Sequence, residues 1–233
     1  MRRIWSSTLK KASNAVAAFV ALTAAVAGAQ PAAQTPSQVV DGLAAQVLVV
    51  LKDDKLSSDE KRDRIEQIAD TAIDFTTLSK LVLARHWSQF SPEQQKEFAA
   101  EFRKHLAITY GRNVDSYQNE SVVVLSERPE SRGDVTVLTK IERGGGNEDI
   151  VVDYRLRRKT GDWKIIDVIV EGVSLVSNFR SQFQDILATG GPNRLLTLLR
   201  EKNAAGQPLQ PTPGVEAGAA AGGGADNGAR TSC

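Results

Sequence analysis

Hydrophobic positions along this chain follow a helical spacing at first, then alternate with other residues, and then return to a helical spacing. Between residues 35 and 114 apolar side chains recur every three or four positions, which predicts amphipathic helices. Two of these helices are predicted to be short, one beginning at Asp74 and one covering residues 81–87. The longer ones begin at capping signals, in which Ser or Thr precedes Glu or Gln by three positions. These signals are Thr35-Pro36-Ser37-Gln38, Ser57-Ser58-Asp59-Glu60 and Ser91-Pro92-Glu93-Gln94.

Four segments between residues 122 and 170 are β-branched, alternating or nearly continuously apolar, which predicts strands. They cover residues 122–125, 135–141, 150–156 and 163–170. The turn-rich linkers between them are of hairpin length, so the strands are predicted to be antiparallel. Helical spacing returns from Leu175 to Ile186, is broken by Gly190-Gly191-Pro192, and resumes in a leucine-rich last helix. The sequence therefore predicts an α+β fold in which helices pack on one curved four-stranded sheet.

Both ends of the chain differ in composition from this central part. Four basic residues and an apolar run precede Ala27-Gly28-Ala29, so residues 1–29 are predicted to be a cleaved secretory signal peptide. An uncleaved anchor is the alternative, although a bilayer needs about 20 apolar residues to be spanned. Residues 204–233 contain seven of the 18 glycines and three of the 8 prolines, which predicts a disordered tail. The predicted domain is residues 30–203.

The charge balance and the residue counts exclude several function classes. The chain has 29 basic and 28 acidic side chains, and 25 against 28 without residues 1–29, so no nucleic-acid partner is expected. The single cysteine, Cys233, leaves no internal disulfide and no cysteine-based zinc site. His86 and His105 are interpreted as surface or core histidines, because they lie 19 residues apart on different predicted helices. No metal and no cofactor are therefore predicted.

The candidates for catalysis each have a structural alternative. Ser174 lies where a strand turns into a helix, but Val176 stands where a nucleophile elbow needs glycine, so a helix cap is favoured. Asp167 lies in an apolar strand and needs a partner, for which Arg180 is the candidate. A hydrolase remains an alternative without an identifiable catalytic group, and the protein is predicted not to be an enzyme.

Neither the glycine run nor the basic cluster predicts an anion site. Gly144-Gly145-Gly146 precedes a strand rather than a helix, so it is interpreted as a turn. Residues 155–159 are rich in basic side chains, and Arg155 and Arg157 share the strand face opposite Tyr154. This pattern predicts a solvated outer face, with contact to lipid headgroups or to a partner as the alternative.

Two blocks of the sequence resemble one known family. Residues 166–183 read Ile-Asp-Val-Ile-Val-Glu-Gly-Val-Ser-Leu-Val-Ser-Asn-Phe-Arg-Ser-Gln-Phe and are similar to the signature of the MlaC, or toluene-tolerance, family. Leu81-Val82-Leu83-Ala84-Arg85-His86-Trp87 and Ser91-Pro92-Glu93-Gln94-Gln95 resemble the same family in order and spacing. The resemblance covers residues 40–202. Three positions depart from the family pattern, since Ile166 and Phe179 replace tyrosines and Ala84 replaces glycine.

The resemblance implies a periplasmic carrier of phospholipid, in which a nuclear-transport-factor-like sheet is wrapped by helices around an apolar cavity. It implies transfer of lipid between an outer-membrane lipoprotein complex and an inner-membrane ABC transporter with its membrane-anchored lipid-binding subunit. Phospholipid is then the cargo rather than a cofactor. A carrier of hopanoids or other apolar lipids is one alternative, and an envelope interaction protein that transports nothing is another.

Lipid chains in such a carrier contact apolar side chains that face each other across the sheet and the helices. The predicted lining comprises Leu106 and Tyr110 of the long helix, Val137, Val152, Tyr154, Val168 and Val170 of the sheet, and Leu175, Val176 and Phe179 of the following helix. Ordinary core packing is the alternative for each of them. The strand facing also depends on the register, because a shift of one residue reverses it.

Overall fold

Helices and strands follow each other in the order that the sequence predicts. The computed structural model describes residues 34–111, 114 and 117–209, so the predicted signal peptide and most of the predicted tail lie outside the described residues. The helices are α1 (Pro36–Leu51), α2 (Ser58–Ala72), α3 (Phe75–Leu83), α4 (Pro92–Tyr110) and α5 (Leu175–Ala204), and a 3₁₀ helix (Ala84–Gln89) follows α3. Within the described ranges, none of the helices combines the length and the apolar character needed to span a bilayer.

Three helices begin at the predicted capping signals. The Thr35 hydroxyl accepts the N–H of Gln38 at 3.2 Å, and Gln38 Oε1 accepts the N–H of Thr35 at 2.9 Å. Ser57 with Glu60, and Ser91 with Gln94, form the same reciprocal pairs. These bonds satisfy N–H groups that have no partner inside the helix, and they fix where α1, α2 and α4 begin.

The sheet contains the four predicted strands and one short additional strand. The antiparallel strands β1 (Ser121–Pro129), β2 (Val135–Glu142), β3 (Ile150–Lys159), β4 (Asp162–Val170) and β5 (Val173–Ser174) are hydrogen-bonded in sequence order. β5 forms because the chain reverses at Glu171 and Gly172, which both have positive φ, and brings Val173 beside Val170. Register shifts between β1 and β2 and between β3 and β4 increase the bending of the sheet. The predicted α+β class is confirmed.

α5 consists of two segments joined at the predicted break. Gly191 has a φ of 63° and a ψ of −168°, outside the helical region, and Pro192 follows it. The helix then continues to Ala204. Leu209 is only 8% exposed, and its N–H donates to His105 Nε2 at 3.1 Å. The folded part of the chain therefore extends beyond the predicted boundary at residue 203, at least as far as Leu209.

Two hydrophobic cores form, one among the helices and one on the sheet. The helical core joins α3, α4 and α5 around the rings of Phe98, Phe102, Phe179 and Phe183, whose centroids lie 5.0–5.7 Å apart. The sheet core consists of Val40, Ala72, Val137, Leu156 and Ile165. α4 packs on α3 and α5, whereas α1 and α2 pack on the sheet. Ile73 contacts both cores and marks the place where they meet.

Charged side chains on the outer face of the sheet are paired rather than simply solvated. Arg157 donates two hydrogen bonds of 2.7 Å to Asp134, and Arg155 donates to Asp167 Oδ2 at 3.2 Å. Both arginines are half-buried, so the predicted solvated face is wrong for them. The predicted pairing of Asp167 with Arg180 is also wrong, because Arg155 lies directly opposite Asp167 in the register. Arg180 donates instead to a backbone carbonyl of α3.

Candidate functional site

The inner face of α1 carries both buried and half-buried side chains. Val40 and Val47 lie seven residues apart, about two helical turns, so their side chains point the same way. Val40 packs into the sheet core and is 1% exposed, whereas Val47 is half-buried. Leu51, one turn further, is also half-buried. Val50, near the end of the helix, is only 8% exposed, so burial does not fall steadily along α1.

α2 and α4 also carry both buried and half-buried side chains on their inner faces. On α2, Ala72 is buried, whereas Ile68 and Ile65 on the same face are half-buried. On α4, Phe102 is 1% exposed, whereas Tyr110, two turns further, is half-buried. The inner faces of all three helices therefore include apolar side chains that keep accessible surface.

The inner face of the sheet, opposite the helices, carries buried and half-buried apolar side chains of its own. The strand register aligns Val137 of β2, Tyr154 of β3 and Val168 of β4, so these side chains share the inner face. Val137 is fully buried in the sheet core, whereas Tyr154 and Val168 are half-buried beside it. Val124 and Val170 lie on the same face and are also half-buried. This inner face is therefore apolar and only partly covered by protein.

Two tyrosine hydroxyls lie at this apolar interior. Burial raises the pKa of Tyr110 to about 12 and the pKa of Tyr154 to about 12. Each residue nonetheless retains accessible surface, and neither hydroxyl has a hydrogen-bond partner among the residues that the structure describes. An unpartnered hydroxyl in apolar surroundings costs free energy unless a polar atom of a ligand or of water meets it there. Both rings pack at the border of a core, Tyr110 against the helical core and Tyr154 against the sheet core.

The ten predicted lining residues divide into covered and accessible positions. The covered ones are Val137, Val152, Val176 and Phe179. The accessible ones are Leu106, Tyr110, Tyr154, Val168, Val170 and Leu175. Lipid contact stays a prediction for all ten. The predicted lining did not include the half-buried Val47, Ile65 and Ile68, although each lies four or seven positions from a buried residue on its own helix.

Ser174, a candidate for catalysis, and His105, a candidate metal ligand, have structural roles. The Ser174 hydroxyl accepts the N–H of Ser177 at 3.1 Å and donates to Asp167 at 2.6 Å, so Ser174 caps α5 as predicted. His105 Nδ1 lies 3.0 Å from Asn203 Oδ1, and its Nε2 accepts a backbone N–H from the C-terminal segment. Both ring nitrogens of His105 are therefore engaged. In the described ranges, no three His, Cys, Asp or Glu side chains are grouped as a metal site requires.

The fold of the described residues defines a class of α+β protein in which five α-helices pack with an antiparallel five-stranded sheet. The family described as MlaC protein matches residues 41–201, more than half of the chain. The chain belongs to the MlaC family, and the resemblance seen in the sequence is confirmed.

Named relatives and a solved structure are similar to this chain. Toluene tolerance protein ttg2D of Pseudomonas putida is 30% identical over 183 residues, which cover 76% of this chain and 80% of that protein. The intermembrane phospholipid transport system binding protein MlaC of Haemophilus influenzae is 26% identical over 133 residues, covering 55% and 60%. The phospholipid-binding protein from Ralstonia solanacearum, solved in complex with a phospholipid, is 27% identical with a TM-score of 0.65. That likeness covers 72% of this chain and 96% of the solved one.

Proposed function

We propose that this protein binds a phospholipid whose acyl chains lie between the sheet and helices α1, α2 and α4. The observation that carries the proposal is a set of inward-facing side chains that keep accessible surface, Val47, Tyr110, Tyr154 and Val168. In a filled core these positions would be covered, as Val40 and Val137 are. The likeness to a structure that holds a phospholipid supports the same assignment.

The energetics of lipid desorption explain what such a site contributes. Each methylene exposed to water costs about 0.8 kcal/mol, so two chains of about 15 methylenes cost more than ~20 kcal/mol. Spontaneous release of a phospholipid from a membrane is therefore slow. An apolar interior lowers this cost because the chains pass from one apolar environment to another.

The protein is proposed to work in the periplasm as a shuttle between two membrane complexes. Its partners are an outer-membrane lipoprotein complex and an inner-membrane ABC transporter with a membrane-anchored lipid-binding subunit. The predicted signal peptide supports export, and the name of the Haemophilus influenzae relative supports intermembrane transport.

The proposed activity needs no bond chemistry and no cofactor, because phospholipid is cargo. Ser174, which sequence analysis weighed for catalysis, caps α5, and His105, which it weighed as a metal ligand, joins α4 to the C-terminal segment. Uptake and release then depend on the apolar interior and on the membrane partners.

A two-step transfer assay tests this function. Delipidated protein is incubated with vesicles containing a phospholipid that carries a fluorescent acyl chain, separated from them by flotation, and mixed with unlabelled acceptor vesicles. We expect label in the protein fraction and then in the acceptor vesicles. Binding without delivery would contradict the shuttle. If the protein took up lipid only from vesicles that contain hopanoids, the cargo would be a hopanoid rather than a phospholipid. If it took up no lipid at all, a non-transporting interaction protein would be favoured.

A further inference from the structure

A small open pocket of about 250 Å³ lies between the end of α3, the 3₁₀ helix that follows it and the first segment of α5. Its floor belongs to the helical core, in which Leu83, Phe183 and Leu187 are buried. Its rim carries the exposed Arg85 and the half-buried Arg180. The pocket therefore combines an apolar floor with two guanidinium groups.

Uncharged acceptors hold both guanidinium groups in place. Arg180 Nε and Nη2 donate to the carbonyl oxygen of Leu81 at 3.1 and 2.6 Å. Arg85 Nε donates to His86 Nε2 at 3.4 Å. A guanidinium group has five N–H donors, so these bonds leave three on Arg180 and four on Arg85. Both arginines are thus oriented and keep most of their donors for a ligand.

The positive charge of the pocket is not balanced within the described part of the chain. No Asp or Glu of that part lines the pocket, and neither Arg85 nor Arg180 forms an ion pair there. On the sheet, by contrast, Arg155 and Arg157 are each paired with an aspartate. Two oriented guanidinium groups without a counter-ion favour an anion, and their planar geometry matches that of a carboxylate.

The volume and the floor of the pocket limit what it accepts. An apolar cavity of about 150 Å³ holds benzene, so this pocket has room for one large apolar side chain with a carboxylate beside it. The two long acyl chains of a phospholipid do not fit. A lone phosphate ion would meet the arginines and leave the apolar floor uncovered. An apolar group joined to a carboxylate uses both parts of the pocket.

The backbone at the edge of the pocket is strained. Ala84, which lines the pocket, has a φ of 47° and a ψ of −120°. A residue other than glycine seldom adopts such a conformation, and conformations of this kind cluster at ligand clamps and active sites. The turn ends α3 and leads directly to Arg85 at the rim. The strain therefore supports a binding role for this part of the surface.

We propose that this pocket docks a segment of a partner protein in which a large apolar side chain is followed by Asp or Glu. The apolar side chain covers the floor, and the carboxylate lies between Arg85 and Arg180. Without residues 1–29 the chain has 25 basic and 28 acidic side chains, so attraction of an acidic segment is local to the pocket. The open rim lets the chain of the partner continue on both sides. Docking is separate from lipid binding, because none of the ten predicted lining residues lines this pocket.

A peptide titration followed by NMR tests the proposal. The probe is the blocked peptide acetyl-Gly-Ser-Leu-Glu-Ser-Gly-amide, and two matched peptides replace its Glu by Gln or its Leu by Ala. The Nε–H signals of the arginines are recorded on ¹⁵N-labelled mature protein, with Arg85 and Arg180 assigned through single Arg→Lys variants. We expect the Leu-Glu peptide to shift both signals. We expect each matched peptide to bind at least about fivefold more weakly, because it lacks the ion pair or the apolar contact.

A charge reversal at the rim tests the role of the arginines. We expect Arg85→Glu to weaken binding of the Leu-Glu peptide about fivefold or more, and the effect to shrink in high salt. Arg194→Glu is the matched control, because Arg194 is exposed on the same helix as Arg180 and does not line the pocket. Circular dichroism verifies that both variants fold. Equal affinities of the two variants for the peptide would contradict the role of Arg85.

Other outcomes of the titration would overturn the proposal. They are equal binding of the Glu and Gln peptides, or no shift at either arginine. Tighter binding of free 4-methylpentanoate than of the peptide would show a site for a small carboxylate. Shifts caused only by inorganic phosphate, or only by phosphatidylglycerol vesicles, would show a phosphate site or a membrane contact instead. Arg85→Glu is expected to take up chain-labelled phospholipid like wild type, so failure of the docking and failure of the proposed function are distinguishable.

Discussion

Val40 and Val47 of α1 offer a matched pair of substitutions. Both valines face inward on the same helix face, but Val40 is 1% exposed and Val47 is half-buried. Val and Trp have similar helix propensities, so replacing either valine by tryptophan leaves the helix itself little changed. The larger side chain enters a packed core at position 40 and the proposed cavity at position 47. The two variants therefore separate packing from ligand binding.

The structure sets the expected magnitudes. At position 40, overpacking costs about 1–3 kcal/mol, and each kcal/mol lowers the melting temperature of a domain of this size by roughly 2–4 °C. We expect Val40→Trp to melt roughly 2–12 °C lower. At position 47, tryptophan displaces about three methylenes of acyl chain, worth about 2.4 kcal/mol or roughly fiftyfold in affinity. We expect Val47→Trp to melt within about 2 °C of wild type.

The assay must separate stability from bound lipid, because a ligand that binds only the folded state raises the melting temperature. Melting is therefore followed by circular dichroism on delipidated protein, and affinity is measured by titration with a chain-labelled phospholipid. If Val47→Trp melts as low as Val40→Trp and binds lipid like wild type, Val47 belongs to a filled core. The proposed cavity would then be refuted at this position.

Three further perturbations test other parts of the structure. Ala84 has a φ of 47° and a ψ of −120°, a backbone conformation suited to glycine. We expect Ala84→Gly to raise the free energy of unfolding, measured in urea, by about 1 kcal/mol. A lower free energy of unfolding in the variant would show that the backbone is not strained at this position. Burial lowers the pKa of His105 below 6.5, so the unfolded state binds more protons and stability falls as pH drops below 6.5. His105→Gln removes this pH-dependent contribution to stability. If the free energies of unfolding of variant and wild type changed with pH in parallel, the contribution of His105 would be contradicted. Truncation after Asn203 removes the buried Leu209 and its N–H hydrogen bond, so we expect it to lower the free energy of unfolding by about 2–3 kcal/mol. Truncation after Leu209 is expected to lower it little. Equal unfolding midpoints for the two truncated proteins would disprove the docking of Leu209.

Local signals explain why most of the fold could be predicted. A capping box lies within four residues, so Thr35, Ser57 and Ser91 mark helix starts whatever packs around them. The short turns between strands likewise require antiparallel pairing. Ser174 was predicted correctly as a cap because its own helix supplies the N–H that it accepts.

Contacts between distant segments could not be predicted in the same way. The partner of Asp167 depends on the register of β3 and β4, which places Arg155 rather than Arg180 beside it. The docking of Leu209 on His105 joins residues 104 positions apart, and the composition of the tail gives no sign of it. The difference in burial between Val40 and Val47 depends on what other elements pack against each of them, which the spacing along α1 does not record.

The bound lipid itself is the most direct test of the account. Protein purified from the periplasm without detergent is extracted with organic solvent, and the extract is analysed quantitatively by mass spectrometry beside a periplasmic protein of similar size. The account predicts phospholipid close to equimolar with the protein and strongly reduced in Val47→Trp. Wild-type protein that carries no lipid, and takes up none from vesicles, would contradict the central claim.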